Sequence, residues 1–323
     1  MNFLQKIAYQ DFFSASYQFD PTQITFLANS NYKTSTFFVF KNHTAMPVGV
    51  LRISNTRQFV KKEYEILQHI YNYGPDSIKQ SVPKPIRLHQ CGSRYIASQS
   101  YVFNAKLKPP NWFERKRRKT VKIHLSKIRK WLQALWQTPV NHLSDSKVIR
   151  GVDIFEELDY CFARCNKDSE SFFKKILSSA EYLRAQNVPL VINHNDLCLD
   201  NIFLDRKGIK VIDWELSYLT WPAYDWFYFV ANYAHCLWAG KNMETTLVVK
   251  SVKRAFFECN WFSELVKDQT RKIYEDMNFD SALIPFFYRL GIFDFLYRRY
   301  FPKLISINRC TPLLFTDDLY LTR

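Results

Sequence analysis

Residues 191–215, VINHNDLCLDNIFLDRKGIKVIDWE, constrain this chain more than any other stretch, because they set one His, several carboxylates and three Asn around two short apolar runs. Val191 and Ile192 end an apolar run, and His194, Asn195 and Asp196 open a polar loop. Ile202 to Leu204 predicts a short strand, Arg206 to Gly208 a tight turn, and Ile209 to Ile212 a second strand ending at Asp213. A hairpin of this kind is expected to bring Asn201, just before its first strand, close to Asp213, just after its second. Both would then face one cleft.

These residue types suit metal-assisted phosphoryl transfer. A hydroxyl attacking the terminal phosphorus of a nucleotide must lose a proton, and a carboxylate within hydrogen-bond reach can accept it. Asp196 is the candidate base. Magnesium prefers hard oxygen ligands such as a carboxylate and an amide carbonyl, which Asp213 and Asn201 supply. His194 is expected to organise the loop by hydrogen bonding. Asp and Asn in turns also cap backbone groups, so the joint pattern, rather than any single residue, carries the argument.

At HNDLCLDN, residues 194–201, and IDWE, residues 212–215, the chain resembles the kinase-like phosphotransferases of small molecules: aminoglycoside phosphotransferases and choline, ethanolamine and thiamine kinases. The first segment matches their catalytic loop and the second their metal-binding segment. Protein kinases use a related loop and an Asp-Phe-Gly segment. Here the position of the loop Arg is Asn195, Phe-Gly is replaced by Trp214-Glu215, and no Ala-Pro-Glu follows. Trp214-Glu215 followed by Leu216-Ser217-Tyr218 is most similar to the amino-alcohol and thiamine kinases.

The resemblance implies an α+β, bilobal, protein-kinase-like fold that uses ATP and magnesium. A sheet-rich lobe over residues 1–103 would clamp the nucleotide, and a mainly helical lobe over 104–323 would carry catalysis and substrate. Periodicity agrees: Ile24 to Leu27, Thr36 to Phe40 and Val48 to Ile53 read as strands, and Gln58 to Tyr73 as an amphipathic helix with Val60, Tyr64, Leu67 and Tyr71 on one face. By resemblance Arg52 sits where the family places a basic residue on the phosphates, and Glu63, rather than Glu65, would pair with it. The family's Gly-rich phosphate turn is absent. Ala28, Asn29, Ser30, Asn31 and Tyr32 stand in its place, and Asn and Ser tolerate turn geometry. Val82 to Pro85 reads as an extended passage and Tyr95 to Val102 as a strand leading to the hinge, with Gln99 to Phe103, including Tyr101, expected beside adenine. Asp225 matches the Asp that supports the catalytic loop from the following helix.

Composition sets the remaining bounds. A chain of 323 residues with 47% hydrophobic content buries a sizeable core and suits two unequal lobes. The seven Cys (91, 161, 165, 198, 236, 259 and 310) form no CxxC pair, which argues against a zinc ribbon or disulfide framework and for reduced cytoplasmic thiols. Cys198 is given no chemical role. The opening MNFLQKIAYQDFF lacks the pattern of an export signal, and no apolar run approaches spanning length. A cytoplasmic protein is expected.

Most of the formal net charge of +15 is in one place. Lys106 to Lys130 holds eleven Lys or Arg against the single acid Glu114. Within it Val121, Leu125, Ile128, Leu132 and Leu135 recur at helical spacing, which predicts a core-facing stripe and leaves Lys119, Lys122, Arg129 and Lys130 largely to solvent. Such a run is either a solvated helix face or a docking surface for an anionic partner, such as a membrane surface or an acidic substrate. Nucleic acid is the least favoured, since no RNA-binding motif interleaves aromatics with it.

Aromatics make up 17% of the chain and crowd one region, from Tyr218 and Trp221 through Tyr224, Trp226, Phe227, Tyr228 and Phe229. Aromatic faces attract quaternary ammonium groups, so Trp221 or Tyr224 beside Glu215 is a candidate cation site. The competing reading is core packing, as it is for Phe286 to Phe301. Two function classes stand at this point. One is a small-molecule kinase phosphorylating a hydroxyl, with an amino alcohol such as choline favoured over thiamine, a sugar or an aminoglycoside. The other is a catalytically inactive binding protein on a kinase scaffold.

Overall fold

The computed structural model describes residues 3–13, 24–30, 34–42, 44–54, 57–102, 105–111, 116–141, 143, 167–204, 208–240, 242 and 244–300. The chain divides into two compact units: Met1–Ala105 with His142–Ile149 and Phe203–Ser217, and Lys106–Asn141 with Arg150–Ile202 and Tyr218–Arg323. Residues 203–217 group with the N-terminal sheet, whereas a single boundary at residue 103 would place them with the C-terminal part. No helix among the described residues is long and apolar enough to cross a membrane.

The first unit is built on a five-stranded sheet in the order β1-β2-β3-β5-β4. Its strands are β1 (Ile24–Ser30), β2 (Thr34–Lys41), β3 (Gly49–Ser54), β4 (Pro85–Cys91) and β5 (Arg94–Ser100), each antiparallel to its neighbours. Successive side chains point to opposite faces. On one face Ile24, Val39, Leu51 and Ile96 pack with Ile7, Ala8 and Phe13, from helix α1 (Phe3–Ala8) and the π-turn that continues it over Tyr9–Phe13. Gly49 opens β3 at this contact because a Cβ there would lie 2.1 Å from Cε1 of Phe12.

Tyr95 and Ala97 take the opposite face and pack with Val60 of helix α2 (Arg57–Tyr73). Of the predicted stripe on α2, Val60 and Leu67 are fully buried while Tyr64 and Tyr71 are only partly so. The fully covered face is Val60, Ile66, Leu67 and Ile70 together with the acidic Glu63. The unit also holds the short α3 (Asp76–Lys79), the 3-10 turn Trp214–Leu216, and the hairpin of β8 (Ile209–Val211) with β7 (Ile202–Leu204), whose first residue belongs to the second unit.

The second unit contains α4 (Arg117–Trp136), α5 (Lys167–Ala185), α6 (Tyr224–Ala239), α7 (Thr245–Phe256), α8 (Trp261–Met277) and α9 (Ile284–Tyr300), with β6 (Val191–Asn193) antiparallel to β9 (Tyr218–Thr220). Every residue of α6 from Tyr224 to Ala234 is buried, which makes this helix the unit's centre. It lies so close to α9 that a Cβ on Gly291 would meet Cβ of Phe227 at 2.8 Å and the carbonyl oxygen of Tyr224 at 2.9 Å. Phe287, Tyr288, Leu290, Phe293 and Phe295 of α9 are buried, so this aromatic run is a packed helix; Phe301 lies outside the described residues.

On α4 the stripe Val121, Leu125, Ile128, Leu132 and Leu135 is buried, and Lys119, Lys122 and Lys130 are exposed. Arg129 departs from expectation. It adjoins Ile128 at the edge of the apolar stripe and is buried, with Nη1 2.6 Å from Asp276 and Nε donating to Gln269 at 3.1 Å. Arg117 is also drawn inward, donating to the carbonyl of Leu237 at 3.1 Å and lying over Trp261. Part of the basic run therefore serves the interior. Glu114 lies outside the described residues.

Candidate active site

In the first unit, Arg52 of β3 is the buried centre of a charge cluster. Its Nη1 lies 2.9 Å from Glu63 and 2.7 Å from Asp213, and its Nη2 lies 2.8 Å from Glu215. A guanidinium is suited to this, because its planar fork offers several donors at fixed angles. Glu65 instead faces Lys61 at 3.4 Å. Burial alone would lower the Arg52 pKa, but the three carboxylates outweigh it and the pKa is raised. Burial pushes the Glu63 carboxyl up to about 7; Arg52 and the backbone N–H of Trp214 oppose that shift, while Asp213 and Glu215 add to it.

Asp213 owes its position to the backbone. Its φ of 69° is left-handed, a region that Asp and Asn tolerate better than most side chains. The next residue, Trp214, is fully buried and its indole donates to the carbonyl of Val211 at 3.1 Å, which anchors the turn. Glu215 was expected beside a substrate cation. The cation it meets is Arg52, and its carboxylate is engaged there.

The residues predicted to hold nucleotide are placed by sheet register. Thr36 stands opposite both Asn29 and Arg52, and Arg52 stands opposite Ala97. Gln99 is buried opposite Val50, and Tyr101, just beyond β5, meets Phe38 edge to face at 5.9 Å. Asn29 and Ser30 are strand residues of β1 rather than part of a loop; Asn31 lies outside the described residues.

In the second unit β6 leads into the loop that carries the candidate base Asp196. The buried Asp225, in the first turn of α6, accepts the backbone N–H of His194 at 2.5 Å and of Asn195 at 2.9 Å. Asn195 occupies the left-handed region with φ 59°, where the loop reverses. His194 is fully buried and its Nδ1 accepts the Asp196 N–H at 3.3 Å, which fits an organising part. Asp196 is held from two sides: Asn201 Nδ2 donates to its Oδ2 at 3.1 Å and to its carbonyl at 3.0 Å, and the Tyr228 hydroxyl donates to its Oδ1 at 2.6 Å. Because the Asn201 NH2 is turned to Asp196, the carbonyl oxygen is the end of that amide able to ligate a cation.

Sequence reasoning missed Tyr228, Asn232 and Asn193. Asn232 accepts the N–H of Leu199 at 3.0 Å, and Asn193 accepts from the Trp136 indole at 3.1 Å and donates to the carbonyl of Trp221 at 3.0 Å. A signal was present. Asp225, Tyr228 and Asn232 recur at i, i+3 and i+7 in an otherwise apolar helix, which puts their polar groups on one face. Trp221 and Tyr224, expected at the substrate, are 5% and 1% exposed, so their rings pack in the core instead of presenting an open face.

No group of three or more His, Cys, Asp or Glu among the described residues is arranged to hold a metal ion. An all-oxygen set of one carboxylate and one amide suits magnesium, which is usually held by few protein ligands together with substrate phosphates. The model of the phosphotransferase enzyme family matches residues 28–247, and the chain belongs to that family. No curated protein sequence matches it. Among solved structures it is similar to an amicoumacin kinase in complex with AMP-PNP, Ca2+ and Ami (15% identity, 96% of this chain and 89% of that one, TM-score 0.57). It is also similar to choline kinase from Cryptosporidium parvum Iowa II (15%, 90% and 86%, 0.55) and to Plasmodium vivax ethanolamine kinase (16%, 95% and 86%, 0.52). These likenesses establish a kinase-like fold, with a sheet-rich N-terminal region and a helical C-terminal part.

Proposed function

We propose that the protein is an ATP- and magnesium-dependent kinase that phosphorylates a hydroxyl of a small molecule, an amino alcohol such as choline being the favoured acceptor. The observation that carries this reading is the fixed carboxylate of Asp196, oriented by Asn201 and Tyr228 on a loop that Asp225 pins. Asp196 accepts the proton of the acceptor hydroxyl as its oxygen bonds to the terminal phosphorus and the bond from phosphorus to the ADP oxygen breaks. Asp213, and Asn201 through its carbonyl oxygen, are the ligands this reading assigns to magnesium, whose charge would neutralise the polyphosphate. Arg52 is the cation assigned to the phosphates, with Glu63 holding it at the strand.

The amino-alcohol assignment rests on the resemblance at IDWE. Trp221 and Tyr224 are buried and Glu215 pairs with Arg52, so this reading does not lean on a cation site at those three residues. ATP with magnesium should raise the thermal midpoint, and a coupled ADP-release assay should respond to choline or ethanolamine above thiamine, a sugar or an aminoglycoside. Response to one of the latter alone would keep the kinase and replace the acceptor. No nucleotide binding and no turnover with any of them would favour the inactive binding protein.

A further inference from the structure

We propose that Tyr228 is a positioning residue for phosphoryl transfer, fixing the carboxylate plane of Asp196 through its hydroxyl. The inference rests on the reading of Asp196 as the base. Tyr228 lies one turn into α6, is 1% exposed, and donates its O–H to Asp196 Oδ1 at 2.6 Å. The opposite oxygen, Oδ2, accepts from Asn201 Nδ2 at 3.1 Å. One donor on each oxygen stops rotation about the bond to the carboxylate, so the lone pair that remains on each points in a fixed direction. Removing the Tyr228 hydroxyl takes away the donor on Oδ1 and loosens that restraint.

The Tyr228 ring is itself held, meeting Phe295 of α9 edge to face at 5.6 Å. The hydroxyl therefore arrives from the packed centre of the unit, not from a mobile surface side chain. A base held to within a few tenths of an ångström removes a reorganisation that would otherwise accompany each turnover, and small misplacements of reacting groups are costly. At 1% exposure the hydroxyl is covered on its other sides, so Tyr228 acts through Asp196 rather than on the acceptor.

Tyr228→Phe removes the hydroxyl and keeps the ring. Read by ADP release, kcat should fall about 10-fold, with KM for ATP and the thermal midpoint near those of the parent. On an Asp196→Asn background the same substitution should add little further loss, because the group it positions is gone. Phe295→Leu loosens the ring that carries the hydroxyl, and should lower kcat by less than Tyr228→Phe while lowering the thermal midpoint more. An unchanged kcat in Tyr228→Phe, an equal loss on the Asp196→Asn background, or the same kcat loss from Phe295→Leu would each overturn the proposal. If Asp196→Asn alone leaves turnover intact, it is the underlying assignment of the base that fails.

Discussion

Arg52 has more carboxylates around it than one positive charge can satisfy. With Glu63, Asp213 and Glu215 all within 2.9 Å of its guanidinium, the cluster has excess negative charge when every acid is ionised. The fully buried Glu63 is the member least able to stay charged, hence its pKa of about 7. A carboxyl whose pKa is raised on folding favours the fold below its unfolded value of 4.5 and loses that contribution as pH rises through about 7. Glu63→Gln cannot ionise and should gain on the parent between about pH 5 and pH 8, by on the order of 2–3 kcal/mol. Urea denaturation at several pH values measures this, and a difference that does not vary with pH would contradict it. The pairing of Arg52 with Glu63 was legible because helix periodicity put Glu63 beside the apolar face of α2. The partner of Glu215 was not legible. Its contact with Arg52 joins residues 163 positions apart, and no local pattern encodes that.

Elements that bury one clean face were read from the chain nearly to their ends, while those that mix polar and apolar positions were not. β1, β2, β3 and β5 contain the predicted strands to within a few residues. β4 was read only as an extended passage ending at Pro85, since none of PIRLHQC is fully buried and its alternation is weak. α6 was read as aromatic and apolar. The i, i+3, i+7 spacing of Asp225, Tyr228 and Asn232 marked a polar face, but the backbone and carboxylate groups it serves lie in a separate loop that the helix pattern does not encode. The sheet also has a tight point that sequence does not announce. Gly49→Ala would drive a methyl group into the Phe12 ring and should destabilise the protein by about 1–3 kcal/mol, as overpacking does. Most of that loss should be relieved in a Phe12→Leu background; no relief would mean that the strain lies elsewhere. At the start of α8, Asn260 accepts from the backbone of Phe262 and Ser263 in a capping box. Asn260→Ala should cost about 1 kcal/mol of stability, and a neutral result in the same denaturation assay would show that water replaces the cap.

For the whole molecule, the family match spans residues 28–247 and so draws on both compact units. The first unit assembles from three separated stretches of chain, so Asp213 and Glu215 belong with Arg52 although residues 150–202, which precede them in sequence, belong to the second unit. The hydrogen-bonded arrangement of the 194–201 loop was easier to anticipate, since Asp196 and Asn201 lie within a local motif and Asp225 at the following helix start. If Asp213 ligates magnesium, Asp213→Ala should lose the thermal stabilisation given by ATP with magnesium, whereas Asp213→Asn, which keeps an amide oxygen and tolerates the left-handed φ, should lose less. Equal stabilisation of the parent and Asp213→Ala would remove Asp213 from the metal. The most direct measurement of the account is the ADP-release rate of Asp196→Asn beside its nucleotide affinity. A general base at Asp196 predicts that kcat falls by about 10²-fold or more with ATP binding near that of the parent; unchanged turnover would contradict it.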